Sequence, residues 1–403
     1  MHKSSIVFTG DIGFDKYMDL KWEDDDLLSQ EILDFFRSAD HVCANVEGAL
    51  FDVPEDGTRD VCFHAMNPKA TKVLQKMHAD IWCLGNNHIM DAGIDGLIST
   101  QKIAEEKNCR TVGAGLNISE ASAPVFLDEA GGIGILSVSY LVGCVPATAT
   151  APGTLPWNDM DLIAKRIQEI KSRCRWCVIV SHGGEEFSSM PLPYTRDRYV
   201  KFLEMGADVV VGHHPHVPEN YELFDNGKAI FYSLGNFIFD TDYQRAHLYT
   251  ENGILLKLEF KEDKMDFKAI GIRIERGSEH LDIAPLPDIF MNIPEAEYNL
   301  LAPLSAKALI AEDMRVMRYL EPKKFVDCSD EVWDRYYDHT VSSFCSPNAH
   351  MDYDVMLPLA QEAENLQWKN SKLENIKSYI LKQFALPYPI EYKYTHNRLE
   401  VKK

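Results

Sequence analysis

Gly212–Asp240 reads GHHPHVPENYELFDNGKAIFYSLGNFIFD and follows directly on the apolar run ADVVV at 207–211. His213, His214 and His216 fall within four consecutive positions, in a chain with only 14 histidines among 403 residues. A short valine-rich run predicts a strand, so the three imidazoles lie where a strand gives way to a loop. Layered α/β folds gather their binding groups there, because loops leaving the carboxyl ends of strands share one edge of the sheet. The one-residue skip between His214 and His216 places both rings toward one locus, and Pro215 stiffens the link.

Toward the N-terminus the same grammar repeats. SIVFTGD (5–11), HVCANVEG (41–48), IWCLGNNH (81–88) and WCVIVSHGGEE (176–186) are apolar runs that end in acids, amides or imidazoles. Between them lie amphipathic segments at helical spacing, among them LLSQEILDFFRSAD (27–40), NPKATKVLQKMHAD (67–80) and MDLIAKRIQEIKSR (160–173). APVFLDEAGGIGILSVSY (123–140) predicts a hairpin turning at Gly131 and Gly132, and 253–275 predicts antiparallel strands. The alternation of strand and helix predicts a layered α/β domain with a mixed sheet over residues 1–278. Residues 279–403 change character: a proline-rich linker, APLPDIFMNIPEAEYNLLAP (284–303), precedes helical patterns at 304–320, 330–345 and 355–384. This mostly helical C-terminal extension contains no tight cluster of ligand-type residues and is expected to pack on the first domain without contributing a ligand.

Composition narrows the function. With 41 Lys and Arg against 62 Asp and Glu, the formal charge of −21 leaves no diffuse cationic footprint for a phosphate backbone, so nucleic acid is excluded as a partner. Neither a signal-peptide core nor an uninterrupted apolar stretch of spanning length occurs, which predicts a soluble, cytoplasmic protein without stable membrane insertion. The nine cysteines are odd in number, and Cys174 and Cys177 form the only CxxC pair. Because Cys177 leads into a strand rather than opening a helix, reduced thiols are expected. The sequence sets no oligomeric state.

A single Asp after a strand is ordinarily a helix cap, and a single His ordinarily a loop residue. Five such endings in succession point instead to oxygen and nitrogen ligands converging on a divalent ion such as manganese, iron or zinc. The ordered set GDIG, NVEG, GNNHIMDAG, SHGGEE, GHHPHVPENYE and YSLGNFIFD resembles the CapA or PgsA-like capsule and poly-γ-glutamate synthesis family, a branch related to calcineurin-like metallophosphoesterases. The likeness runs from Ile6 to about Arg276. It implies a four-layer α/β/β/α sandwich with metals above the strand ends. Carried over by motif, Asp11 binds one ion and Glu47 bridges or binds the pair. Asn87, His182 and His214 hold the other ion, and His216 joins Asp11. One or two divalent ions are therefore expected, manganese first, with iron or zinc as alternatives. His88, backed by Asp91, is the expected proton donor or oxyanion clamp. Asn45, Asn86, Glu186, His213, Ser233 and Asn236 are expected to touch substrate or to support these groups, and Asp240 shares the choice for the return strand.

Two positions depart from the metallophosphoesterase pattern: Gly13 stands where relatives carry a ligand histidine, and Gly183 replaces a tryptophan. The expectation at Gly13 is an open, water-rich shell around the Asp11 ion. Three activities fit the set. One is metal-dependent hydrolysis of a phosphoester or a γ-glutamyl or peptide bond. Another is epimerisation of a peptide next to a polarised carbonyl. The third is non-catalytic binding within polymer synthesis. The substrate expected is a small molecule, a peptide or an anionic polymer.

Overall fold

The computed structural model describes residues 4–52, 64–127, 132–141, 143–320, 371–385, 392–395 and 398–401. The architecture is mixed α/β, with two large sheets. In the first, strand order is 280–284, 265–275, 252–260, 4–12, 41–46, 81–83, 110–112, with 236–238 also paired to 4–12. Strands 4–12, 41–46, 81–83 and 110–112 run parallel, and 252–284 closes the sheet as an antiparallel meander. The second sheet runs 221–223, 229–231, 209–213, 176–182, 133–139, 125–127, with a parallel centre and an antiparallel strand at each edge.

Alternation along the strands decides what each face buries. Ile6, Phe8, Cys43 and Ile81 of the first sheet share one apolar cluster with Ile135, Val178, Val180, Val209 and Val211 of the second. The alternate residues Val7, Val42, Ala44 and Trp82 pack with Ile32, Phe36, Val73 and Leu97 from helices 30–37, 71–76 and 93–106. On the second sheet Leu136, Val138, Ile179 and Val210 pack with Ile163, Ile167, Ile170, Tyr199 and Phe202 from helices 160–173 and 193–204. The near-continuous apolar runs of the parallel strands follow from burial on both faces. The parallel strands of both sheets end together at one edge, and the polar strand-end residues lie there.

The boundary expected at 278 falls inside the first sheet: strand His280–Ala284 pairs along 265–275. The helix expected from Leu304 begins at Glu295 and continues through Pro303 to Leu320. An interior proline removes one helical hydrogen bond. Here Tyr298, Leu301 and Ala302, ahead of it, are buried with Met190 and Ile289, which secures that turn. Of the later helical patterns, Ser371–Leu381 is helical, while 330–345 lies outside the described residues. The hairpin strands are Val125–Leu127 and Ile133–Ser139. Cys177 is a buried free thiol.

Candidate metal centre

The centre is assembled by register. Asp11 stands beside Asn45 on one neighbouring strand and Asn236 on the other. In the second sheet His182 stands beside His213. Asn45 Nδ2 donates to Asp11 Oδ1 at 2.7 Å and lies 3.4 Å from His182 Nδ1, so it ties the two sheets at the site. His213 Nε2 sits 2.8 Å from the Thr9 carbonyl, a second tie between the sheets.

Around Glu47 the imidazoles converge. Its Oε1 lies 3.5 Å from His182 Nε2, 3.7 Å from His216 Nε2 and 4.0 Å from His88 Nε2. Glu47 is fully buried, yet among the described residues neither of its carboxylate oxygens has a hydrogen-bond partner. Orphaned buried carboxylate oxygens are rare and costly in a folded protein. Among the described residues, three groups of ligand atoms converge to within 4.8 Å of one another: Glu47, His182 and His214; Asp11, Glu47 and His216; and Glu186, His214 and His216. Glu47, His214 and His216 each belong to two of them. An acid–imidazole donor set fits manganese, iron or zinc.

The supporting contacts aim these groups. His216 Nδ1 is held by Asn236 Oδ1 at 2.9 Å and Asp11 Oδ2 at 3.2 Å, which turns Nε2 toward Glu47. Asn236 is itself fixed through Nδ2 to Gln244 and the Thr250 carbonyl. Asn87 Oδ1 lies 2.9 Å from His182 Nε2, and its Nδ2 lies 3.0 Å from His88 Nε2. Asp91 Oδ2 holds His88 Nδ1 at 2.8 Å. Asn86 braces the turn by donating to the Val46 carbonyl and accepting from the His88 N–H. His214 (φ 96°) and His216 (φ 57°) both adopt left-handed backbone, a strain of about 1–3 kcal/mol each that persists only when the surroundings impose it. The imposing contacts are His214 N–H to Asp11 Oδ2 and Phe187 N–H to the Pro215 carbonyl.

Electrostatics separates the imidazoles into two kinds. Burial, reinforced by the neighbouring imidazoles, pushes His214 down to about 3, and burial drives His182 well below its ordinary value. Both present the neutral, metal-binding form. Burial also works against a charge on His216, but Glu47 and Asp11 overcome it and raise the group to about 10. Burial and the Asp11 charge push Glu47 up to about 7. Burial opposes ionisation of Asp11 too, yet the His216 hydrogen bond and the imidazoles hold it well below the carboxylate range.

One expectation changes. The space beside Gly13 is not empty: a Cβ there would come within 2.6 Å of the Phe239 ring, which packs on His216 at 4.7 Å between ring centroids. For the return strand, where both roles were open, the contacts are internal. Ser233 Oγ accepts from the Gly235 N–H, and Asp240 pairs with Arg245 and Arg276.

Several contributors carry no strand-end signature. His64 and Asp15 meet beside His88, through His64 Nδ1 and Asp15 Oδ2 at 2.6 Å. The C-terminal helices grip the turn that carries Glu186. Gln383 Nε2 donates to the Phe187 carbonyl and to Glu312 Oε2, while Tyr298 Oη donates to the Pro191 carbonyl. Phe187 in turn stacks on His247 at 3.8 Å, and His247 Nδ1 pairs with Glu312 Oε1 at 3.2 Å. Among the described residues none beyond 279 enters the three ligand groups.

Residues 5–241 match the model of the bacterial capsule synthesis protein PGA_cap. The chain belongs to this family. It is 31% identical over 265 residues to the PGA biosynthesis protein CapA of Bacillus subtilis (strain 168), covering 64% of this chain and 68% of that one. It is 27% identical over 272 residues to the capsule biosynthesis protein CapA of Bacillus anthracis, covering 65% of this chain and 61% of that one. Among solved structures, TT1561 of Thermus thermophilus aligns with a TM-score of 0.37 at 10% identity, over 66% of this chain and 98% of that one. The 5'-nucleotidase of Candida albicans SC5314 aligns at 0.38 and 12%, over 66% and 50%. Both likenesses are too distant to assign an activity. No helix among the described residues is long and apolar enough to cross a membrane.

Proposed function

We propose that this PGA_cap member is a metal-dependent hydrolase acting on a phosphoester or on a γ-glutamyl or peptide bond. The observation that carries the reading is Glu47, fully buried with two unpartnered oxygens amid three convergent imidazoles. Asp11, Glu47 and His216 would hold one divalent ion, and Asn87, His182 and His214 a second, manganese first among the candidates. Bound cations supply the positive charge that activates water and offsets charge developing on the substrate. His88, with Nδ1 fixed by Asp91, keeps Nε2 beside Glu47 and Asn87, where it can pass a proton to a leaving atom. We assign the layering to the α/β/β/α sandwich of metallophosphoesterases, carried by the described residues between 4 and 284; of the described residues beyond it, Glu295–Leu320 and Ser371–Leu381 are helical and Tyr392–Thr395 pairs with Arg398–Val401.

The names of the Bacillus relatives favour a second reading. They describe biosynthesis rather than breakdown, which fits a polymer-binding or assembly component that keeps its cations for structure. Untagged protein analysed for metal, then assayed with aryl phosphomonoesters, aryl phosphodiesters and γ-glutamyl peptides under added manganese, iron and zinc, separates the two. Hydrolysis predicts at least one equivalent of metal and turnover that depends on His88. Stoichiometric metal without turnover on any of them would favour the second reading, and protein that binds no divalent ion would refute both.

A further inference from the structure

His64 reaches the centre from outside every strand-end motif. Its neighbours Ala65 and Met66 pair in parallel with Ala49 and Leu50, just past Glu47. That pairing brings the His64 carbonyl within 2.6 Å of where a Cβ on Gly48 would stand, and Gly48 has φ 113°, so the NVEG glycine is what admits this segment. The His64 N–H donates to Asp91 Oδ2 at 2.8 Å, the same oxygen that holds His88 Nδ1 at 2.8 Å. The two rings meet edge to face, with centroids 4.1 Å apart and planes at 84°. Phe239 backs His64 at 5.2 Å.

We infer that His64 is a substrate-binding residue that presents its Nε2–H, next to His88, to an anionic oxygen of phosphate or carboxylate type. The inference deepens the hydrolase reading and rests on it. Asp15 Oδ2 takes Nδ1 at 2.6 Å, so Nε2 is the nitrogen left for a ligand; among the described residues it makes no hydrogen bond, and the side chain stays 11% exposed. His64 belongs to none of the convergent ligand groups, which separates its role from metal binding. Burial works against a charge on the ring, yet the hydrogen bond and charge of Asp15 outweigh it and raise the imidazole above its ordinary value. The need for such a donor is plain from the charges around it: among the described residues, Asp11, Glu47 and Asp91 form ion pairs with histidines alone. Among the described residues, no lysine or arginine pairs with those acids. A charged imidazole held by a remote carboxylate supplies the directed N–H.

The test titrates metal-loaded full-length protein with inorganic phosphate and, separately, with glutarate by calorimetry, for wild type, His64→Ala, His64→Gln and Asp15→Asn, with metal content measured on each sample. His64→Ala should keep its metal and bind one or both anions about 10- to 100-fold more weakly, the worth of one charge-assisted hydrogen bond. His64→Gln, which keeps an N–H, should fall between, and Asp15→Asn should lose less than His64→Ala. The anion whose affinity falls identifies the substrate oxygen as phosphate-like or carboxylate-like. Unchanged affinity for both anions at full metal content overturns the inference, and so does loss of metal in His64→Ala, which would make His64 a ligand. Should circular dichroism show His64→Ala unfolded, His64→Gln and Asp15→Asn decide by the same criterion. Metal content of the wild type reads the hydrolase proposal separately, since a wild type without metal fails at that earlier step.

Discussion

Replacing Glu47 by glutamine should make the metal-free protein more stable and the metal-supplemented protein less so. Burial, then the Asp11 charge, raises the carboxyl from 4.5 to about 7. At about 1.4 kcal/mol per tenfold change in proton affinity, ionising Glu47 in the folded chain costs about 3 kcal/mol more than in the unfolded chain. Since the folded value is the higher one, the native state keeps this proton between about pH 4.5 and 7 while the unfolded chain has lost it. The contribution is therefore whole below pH 4.5 and is lost as pH rises through 7. Glutamine cannot ionise, so Glu47→Gln should gain up to about 3 kcal/mol over wild type at pH 8 and almost nothing at pH 4.5. Manganese at a thousandfold excess over its Kd should reverse the order, because it adds about 4.1 kcal/mol to the protein that binds it, more than the glutamine gains. Thermal or urea unfolding of both proteins, stripped and manganese-loaded, at the two pH values reads all four quantities. A Glu47→Gln protein that is less stable than wild type when stripped at pH 8, and still stabilised by manganese, would refute the reasoning.

Three further outcomes follow from the geometry. His88→Ala should retain wild-type metal content while the chemical step slows by about 10²–10⁴-fold, measured by single-turnover rates beside elemental analysis. His214→Ala should empty the group it shares with Glu47 and His182, lowering bound metal by at least one equivalent relative to wild type and abolishing most turnover. Gln383→Ala strands Glu312 Oε2 and the Phe187 carbonyl, a cost of about 1–3 kcal/mol. Hydrogen exchange should then quicken around Phe187 while the strands 4–12 and 176–182 keep their protection.

The parallel strands were legible because each couples a short apolar run to a polar ending, and burial on both faces leaves that run without polar interruption. The residues that converge on Glu47 lie at those endings, so the same pattern that marks a strand marks its edge of the sheet. His64 had no such signal. It sits in VCFHAMNP, where no periodicity sets a direction, and its place depends on a two-strand pairing with Ala49 and Leu50, just past NVEG, that no local pattern announces. Gly13 misled for a related reason: sequence shows the missing side chain but not that Phe239, from the return strand, fills its space. The strand at 280–284 was hidden because its alternation is short and abuts a proline-rich run. The grip of Glu312 and Gln383 on Phe187 was hidden because no local pattern encodes a contact across 196 residues.

That last contact has a consequence for the order in which the molecule comes into being. All six proposed ligands have been synthesised by residue 216, and both large sheets by residue 284. The turn bearing Glu186 is tied early through the Pro215 carbonyl and His247, but it lacks its tie to Gln383 until that residue has left the ribosome and reached the Phe187 carbonyl. From the completion of both sheets, a nascent chain therefore carries a complete set of ligands beside a turn that still lacks this tie for roughly the time needed to add a hundred residues, about 5–20 s at the usual rate of elongation. An ion captured in that interval is held by a site that is still settling, so the metal present at the ribosome, rather than the metal the finished centre prefers, has the first opportunity to occupy it.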